Sequence, residues 1–379
     1  MRGQGWLGGA TLPSAVMEVV FSVFAFAMGA IVGSFLNACI YRLPREIPLD
    51  KPKRSFCTSC DAMIPWYHNL PLISWVVLRG KCAKCGAKFS MRYWWIELLT
   101  AVAFWLAWEK FGLPLGPVYW VFLALMITAT FIDFDFFIIP DEITIGGTVV
   151  GLVLSTILPE MMGETVWWRG LLWSVAGAAL GYGLLWGVVE LGKKAFGKKR
   201  IELEPAEEFR LVADDERPEI ELGSDRTAWE EIFSRESDTL VIECGEGELN
   251  GEKFSGDVRL FYNRVVLADG REIGLEDVKS LSGRASAVVI PREAMGFGDV
   301  KFIACIGAFL GWEAVIFTIF ASSIIGAIVG GGSLLISRGA AGAKIPFGPY
   351  LALGAVLWLA VGPTAVRWYF GLFSSGVLP

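Results

Sequence analysis

Residues 295–312 read MGFGDVKFIACIGAFLGW. An aspartate, Asp299, stands behind two glycines, Gly296 and Gly298, at the mouth of an apolar run. That run is one of several. Of the 379 residues, 54% are hydrophobic, too many for an ordinary soluble domain. Several runs approach or exceed the roughly 18–20 residues that cross a bilayer. The pattern predicts an all-α polytopic membrane protein of about eight transmembrane helices, over 14–41, 94–110, 117–137, 142–158, 168–191, 297–311, 314–336 and 348–373. Many of the sixteen tryptophans lie near run ends, as interfacial belts require. The first run continues into GSFLNACIYRLP without a convincing cleavage site, so it is expected to stay as a span.

The net charge of −6 conceals segregation by loop. Between Arg42 and Arg92 there are ten Lys/Arg against three Asp/Glu; over 201–250 there are seventeen Asp/Glu against four Lys/Arg. The basic loop after the first span, GKKAFGKKR after the fifth, and Arg338 with Lys344 after the seventh all fall on one side. The positive-inside rule makes that side cytoplasmic and puts both termini outside. Two soluble modules are then cytoplasmic: residues 43–92, and an insert over 195–293 that is very acidic at first and then β-like. In the insert, DTLVIEC and VRLFYNRVVLADGREI are rich in β-branched and aromatic residues, with a turn signal at Asp269–Gly270. Its Cys244 is expected to be a small buried hydrophobe.

The span that Asp299 opens is short. Phe297 to Gly311 covers about 22 Å at about 1.5 Å per residue, against a hydrocarbon core of about 30 Å. The GFGD turn is therefore drawn inward, where an ionisable group faces a polar partner or a water-filled cavity. Further acids occur in TATFIDFDFFIIPDEIT, residues 128–144. Positions two apart on a helix point about 200° apart, so Asp133 and Asp135 cannot both face the bundle interior. Pro140 ends the helix, and Asp141 is expected to N-cap the next one. Asp133 lies on the same membrane side as Asp299. Two carboxylates a few ångströms apart share one proton, which supplies a base to activate water and an acid for the leaving amine. Gly296 and Gly298 would let an extended substrate backbone approach.

Other chemistries find little footing. His68 is the one histidine; HExxH, GxSxG, P-loop and soluble dinucleotide motifs are absent, and no feature points to nucleic acid. Cys57 and Cys60 form one CxxC and Cys82 and Cys85 another, 21 residues apart, which suits a closed structural zinc site in a reducing compartment. Free thiols or a redox pair are the alternative. Cys39 and Cys305 lie in apolar runs, as packing residues do. The carboxylate pair itself has rivals: a buried structural pair or helix cap, a non-enzymatic membrane assembly protein, or a proton-coupled transporter.

Five stretches in order, GSFLNACIYRLP (33–44), PWYHNLPLISWVVLRGKCAKC (65–85) with RYWWIELLTA (92–101), IDFDFFIIPDEIT (132–144), GFGDVK (296–301) and IPFGPYLALGA (345–355), resemble the type IV prepilin peptidase family of GxGD aspartic membrane proteases. The presenilin-like GxGD proteases lack the double CxxC and GSFLN features. The resemblance covers nearly the whole chain outside the insert. It implies an enzyme of the bacterial inner membrane that cuts the basic leader from type IV prepilins and type II secretion pseudopilins at the cytoplasmic face. Many members then methylate the new amine with S-adenosylmethionine. It implies catalytic Asp133 and Asp299, metal ligands Cys57, Cys60, Cys82 and Cys85, and a methylation-linked Gly80. Pro346, Gly348 and Pro349 are expected to support the cleft. Two departures stand out: a connection of about a hundred residues between the fifth and sixth spans, and RYWW where the family commonly has a proline. The acidic insert could attract basic leaders, although a solvated acidic surface is the more ordinary role for such charge.

Overall fold

A computed structural model describes residues 14–51, 55–196, 198–212, 218–223, 225–233, 239–291, 295–336 and 346–374. The loop carrying Arg338 and Lys344 lies outside the described residues. The chain forms two compact units, one from 1–186 with 296–379 and one from 187–295.

The first unit is helical. Its elements are α1 (Ser14–Arg42), the short α2 (Ile73–Val77), α3 (Arg92–Phe136), α4 (Asp141–Ile157) and the first two-thirds of α5 (Trp167–Phe196). After the second unit the chain returns as α7 (Phe297–Ile336) and α8 (Gly348–Ser374). Five of these, α1, α3, α5, α7 and α8, are long and apolar enough to cross a membrane. Large apolar side chains face outward along them, among them Val19, Val23, Phe320 and Ile328. Outside lipid such faces would be an aggregation hazard; in lipid they are the solvated surface.

The expectation of about eight helices meets a difference in segmentation. α3 runs 45 residues but contains non-helical backbone at Gly112 (φ 54°, ψ −150°) and Leu113. There the chain folds back. Phe104 and Trp120 would stand about 24 Å apart on one straight helix, yet their rings stack at 5.2 Å, and the Trp120 indole N–H donates to the Phe104 carbonyl at 2.8 Å. Phe111 and Tyr119 meet at 4.4 Å across the same turn. α7 breaks likewise at Gly311 (φ 79°). α4, at 17 residues, is shorter than any of the five long helices, of which α8 at 27 residues is the shortest.

Small residues bring these helices into contact. On α5, a Cβ at Gly170 would lie 2.5 Å from the Ser155 carbonyl oxygen of α4 and one at Gly181 2.8 Å from the Ile303 carbonyl oxygen of α7; at Gly177 it would overlap the Gly307 carbonyl. Ser174, on the same stripe, donates from Oγ to the Ala308 carbonyl at 2.6 Å. Gly29 and Gly33 of α1 meet α3 at Ala101 and Glu97 in the same way. Close backbone approach is what associates helices in lipid, where apolar burial drives little. The first half of α7 is consequently enclosed: Val300, Phe302, Ile303, Cys305 and Phe309 have no exposed surface.

The second unit is a nine-stranded antiparallel sheet. Its strands are β1 (Lys198–Val212), β2 (Glu219–Leu222), β3 (Asp225–Ala228), β4 (Thr239–Leu249), β5 (Glu252–Ser255), β6 (Val258–Phe261), β7 (Arg264–Leu267), β8 (Glu272–Gly274) and β9 (Leu281–Pro291), with the short α6 (Trp229–Ile232) after β3. The order is β3-β2-β1-β9-β4-β6-β7-β8, with β5 on β4. Phe209, Phe233, Ile242, Leu260 and Leu281 fill its core. Strand structure starts earlier than the sequence suggested, inside the acidic stretch, where β1 buries Phe209 and Leu211 and exposes Glu208 and Arg210. Asp269–Gly270 does make the β7–β8 turn, and Cys244 is buried.

The fold-back in α3 has a direct test. Cysteines placed at Phe104 and Trp120 will cross-link in membranes with a short bifunctional reagent, whereas a continuous helix would hold them beyond its reach.

Candidate functional site

Asp133 occupies the last turn of α3 and is 4% exposed; Asp299 occupies the first turn of α7 and is 7% exposed. Asp135 points elsewhere, to Arg92 at 2.7 Å, with both side chains about one-third exposed. The helix phase argument thus separates the two acids correctly.

Several contacts tie the chain around Asp133 to the chain around Asp299. The Gly348 backbone N–H donates to Asp133 Oδ2 at 3.0 Å. A Cβ on Gly348 would lie 2.6 Å from that oxygen and 2.9 Å from Ile139 Cδ1; a Cβ on Gly298 would lie 3.5 Å from Ile139. Buried Ile139 therefore lies between the GFGD turn and the start of α8. Eight residues after Asp133, Asp141 pairs with Lys301 of α7 at 2.7 Å. Gly296 accepts the Asp299 N–H at 3.1 Å. Pro349 is buried beside Gly348, and Pro346 is half-buried.

One expectation is corrected. Asp141 is not the N-cap of α4. Pro140, with φ −59° and ψ 149°, takes that place. Its ring sets the extended backbone with which a cap residue leads into a helix, so Asp141 falls in the first turn, where a carboxylate opposes the positive helix end. Sequence reasoning also missed Lys301, which follows Asp299 by two positions, and the bond that makes Gly348 necessary.

The four cysteine sulfurs lie within 4.8 Å of one another. Two matching knuckles place them. Cys57 N–H donates to Ala62 and accepts, through its carbonyl, the Asp61 N–H; Cys82 does the same with Ala87 and Gly86. The fourth residue after each leading cysteine, Asp61 or Gly86, has positive φ. Cys57 and Cys85 sulfurs stand 3.8 Å apart, about the edge of a tetrahedron with metal–sulfur bonds of about 2.3 Å. The Cys85 and Lys84 backbone N–H groups pull the Cys82 thiol down to about 6. Cys85 is pushed up to about 12: the Ala87 N–H favours its thiolate, but the Cys60 thiol, burial and the other thiols outweigh it. Four such thiols ionise together only around a cation, so the donor set fits a metal ion.

The module is bolted to α3, whose first turn is in turn bonded to α1. Leu72 N–H donates to Glu97 Oε2 at 2.7 Å, Trp94 Nε1 donates to the Leu72 carbonyl, and Asn37 reaches the Tyr93 carbonyl. Gly80, with φ +64°, sits against the Trp75 indole: a Cβ there would lie 2.9 Å from Cζ2. Arg45 lies over the rings of Tyr41 and Phe136 at 4.3 and 4.8 Å, which brings the module's edge to the end of α3 that carries Asp133.

The class that fold and site define is a helical membrane protein with two buried acids on linked helix ends and a separate four-thiol cluster. Comparison with known proteins makes the class specific. Residues 27–111 match the Bacterial Peptidase A24 N-terminal domain, and residues 120–200 with 267–331 match the Type IV leader peptidase family. The chain belongs to the type IV leader peptidase family. Three relatives, each named prepilin leader peptidase/N-methyltransferase, illustrate the range. One from Aeromonas hydrophila is 27% identical, covering 93% of both chains. One from Neisseria gonorrhoeae is 35% identical over 50% of this chain and 71% of its own. One from Myxococcus xanthus is 40% identical over 138 residues, 36% of this chain and 41% of its own. No solved structure matches.

The contact at Gly348 yields a stability prediction. Gly348→Ala is expected to cost about 2–4 kcal/mol, through overlap in a packed site and a displaced bond to a buried carboxylate. Thermal unfolding in detergent measures it, with Gly331→Ala, whose Cβ would meet nothing within 4 Å, as the control that loses no stability.

Proposed function

We propose that this protein is a prepilin leader peptidase and N-methyltransferase that works at the cytoplasmic face of the bacterial inner membrane. It cleaves the basic leader from type IV prepilins and type II secretion pseudopilins, then methylates the exposed N-terminus. The observation that carries the peptidase reading is the burial of Asp133 and Asp299 on helix ends linked through Ile139 and the Lys301–Asp141 pair. The two aspartates act as one acid–base unit on a water molecule. Their titration belongs to the pair rather than to either residue. Each also has a helix beginning beside it: α8 supplies the Gly348 N–H, and Asp299 lies within the first turn of α7. A helix start favours negative charge, which suits a site that must hold one carboxylate ionised.

Substrate placement follows from the same arrangement. The prepilin's apolar helix lies among the spans, and its basic leader stays in the cytoplasm. The scissile bond unwinds at headgroup depth against Gly296 and Gly298. Counting the two arms of α3, the two parts of α7 and the short α4 separately gives eight spans. The cytoplasmic module is residues 43–92, followed by spans over 94–191, the insert over 195–293 and the last spans over 297–373. Zinc is the metal that four thiolates at this spacing select, and a shell filled by protein ligands makes the site structural. S-adenosylmethionine is the methyl donor.

Asp133→Asn and Asp299→Asn will each lower leader cleavage by at least about 10²-fold, the lower range for a general acid–base group. A mobility shift of a prepilin mixed with membranes reads this out, with enzyme level checked by blot. Full cleavage by either variant would remove the dyad. Separately, the purified protein is expected to carry one zinc per chain by elemental analysis. Cys57→Ser with Cys82→Ser should abolish zinc and lower the melting temperature, because the knuckles lose their shared centre.

A further inference from the structure

The cysteine module carries an apolar surface that its own packing does not use. α2 reads ISWVV over Ile73–Val77. Ile73, Val76 and Val77, spaced i, i+3 and i+4, share one helix face, and they are 60%, 59% and 72% exposed. The packed side is Ser74, which is buried, accepts the Leu70 N–H at 2.9 Å and donates to the Tyr67 carbonyl. Trp66, Tyr67 and Leu70, on the segment that leads into α2, are exposed as well. Six large apolar side chains facing outward over residues 66–77 mark a surface that something covers.

Two helices fix the depth at which this surface stands. Leu72, directly before α2, donates its N–H to Glu97 and accepts the Trp94 indole N–H. Both partners belong to α3, which is long and apolar enough to span a membrane and starts at Arg92. Glu97 lies about 7.5 Å along that helix. On the same turns, Trp95 and Leu99 are exposed apolar side chains of the span. α1 gives the same depth independently. Trp66 and Pro71 share a shallow groove with Ile31 and Phe35 of α1. Those two are exposed apolar side chains of another span, and Phe35 lies about 10 Å before its end at Arg42. The 66–77 segment is therefore level with outward-facing apolar residues of two spans, not beyond their ends.

Charge selects what covers it. From Ala62 to Arg92 the chain has five Lys/Arg and no Asp or Glu. Arg79, Lys81, Lys84 and Lys88, all after α2, are exposed. An apolar face beside a row of cations complements a leaflet with anionic headgroups. A second copy of the module would bring the same positive charge and be repelled, as would a basic leader peptide.

We infer that residues 66–77 are an interfacial membrane anchor, with Ile73, Val76 and Val77 among the acyl chains and the following Lys/Arg at anionic headgroups. The proposed orientation makes this the inner leaflet; the anchoring itself rests on no assigned chemistry. Cys82 follows Val77 by five positions. The cysteine cluster is thus held at a set height by two attachments, α3 through Leu72 and the leaflet through α2.

The test uses the full-length protein in nanodiscs of phosphatidylethanolamine and phosphatidylglycerol. The photo-cross-linker p-benzoylphenylalanine is placed singly at Ile73, at Val77, at Val23 as the spanning control, and at exposed Lys253 of the second unit as the control outside lipid. Each protein is first matched to the wild-type melting temperature, and adducts are identified by mass spectrometry after illumination. Ile73 and Val77 are expected to give phospholipid adducts in yields within about threefold of Val23 and at least about tenfold above Lys253, as acyl-chain contact requires. Phosphatidylglycerol should exceed its share of the disc in those adducts by at least about twofold. Lipid adducts at Val23 with none at Ile73 and Val77 would overturn the anchor. So would adducts of Ile73 and Val77 to a second copy of the chain, or to an added prepilin, in place of lipid. Adducts that mirror the lipid mixture would overturn the preference for anionic headgroups.

Discussion

A carboxylate removed from water must be given donors or a counter-charge, or it will not stay ionised. Asp133 is held by a backbone amide, the Gly348 N–H at 3.0 Å. Gly348 is the first residue of α8, so its N–H is one of the four that a helix start leaves without an intrahelical acceptor. The helix end and the acid solve each other's problem. The bond also dictates the residue: only a missing side chain lets that amide approach, because a Cβ would stand 2.6 Å from the oxygen it serves. Chain segments 215 positions apart are thereby committed to one place.

Holding that place in a bilayer needs backbones close together, since lipid tails compete well for apolar side chains. The α5 stripe of Gly170, Ser174, Gly177 and Gly181 meets α4 and the first half of α7 through carbonyl oxygens and the Ser174 hydroxyl. Gly29 and Gly33 do the same for α1 on α3. The beginning of α7 is packed on all sides as a result, and Asp299 rides on its first turn. Rigidity at this depth matters more than total stability for a group that must meet a partner to within an ångström or so.

Much of this was legible from residue order. Hydropathy located the five long apolar helices, though it cut α3 and α7 each in two. The 200° step between positions two apart said that Asp133 and Asp135 cannot both face inward, and Asp135 does pair with Arg92 at the surface. The paired CxxC spacing located the thiol cluster. What local reasoning could not reach were pairings between distant segments. Lys301 and Asp141 are 160 positions apart, and only tertiary packing introduces them. Asp141 looked like a cap because its residue type favours caps, but Pro140 already had the backbone angles for that place. In the insert, β1 was disguised by glutamates, which have poor strand propensity. The alternation that buries Phe209 and Leu211 was present beneath them.

The insert raises a separate physical question: how a helical protein tolerates an entire sheet between two consecutive helices. The match to the Type IV leader peptidase family stops at residue 200 and resumes at 267, so most of the sheet has no counterpart there. Strand register explains the tolerance. β1 and β9 are antiparallel neighbours in the middle of the sheet, with Lys198 opposite Pro291. The first and last residues of the sheet thus stand opposite each other. A module whose ends meet asks no more of the flanking helices than a short turn would, and the added closure entropy is absorbed inside its own core. Had β1 lain at an edge, with β9 at the far side, the two exits would have stood several strands apart, at about 4.8 Å per strand. Placing both termini on the central pair lets the insert vary in sequence and charge while the acids stay where the helices put them.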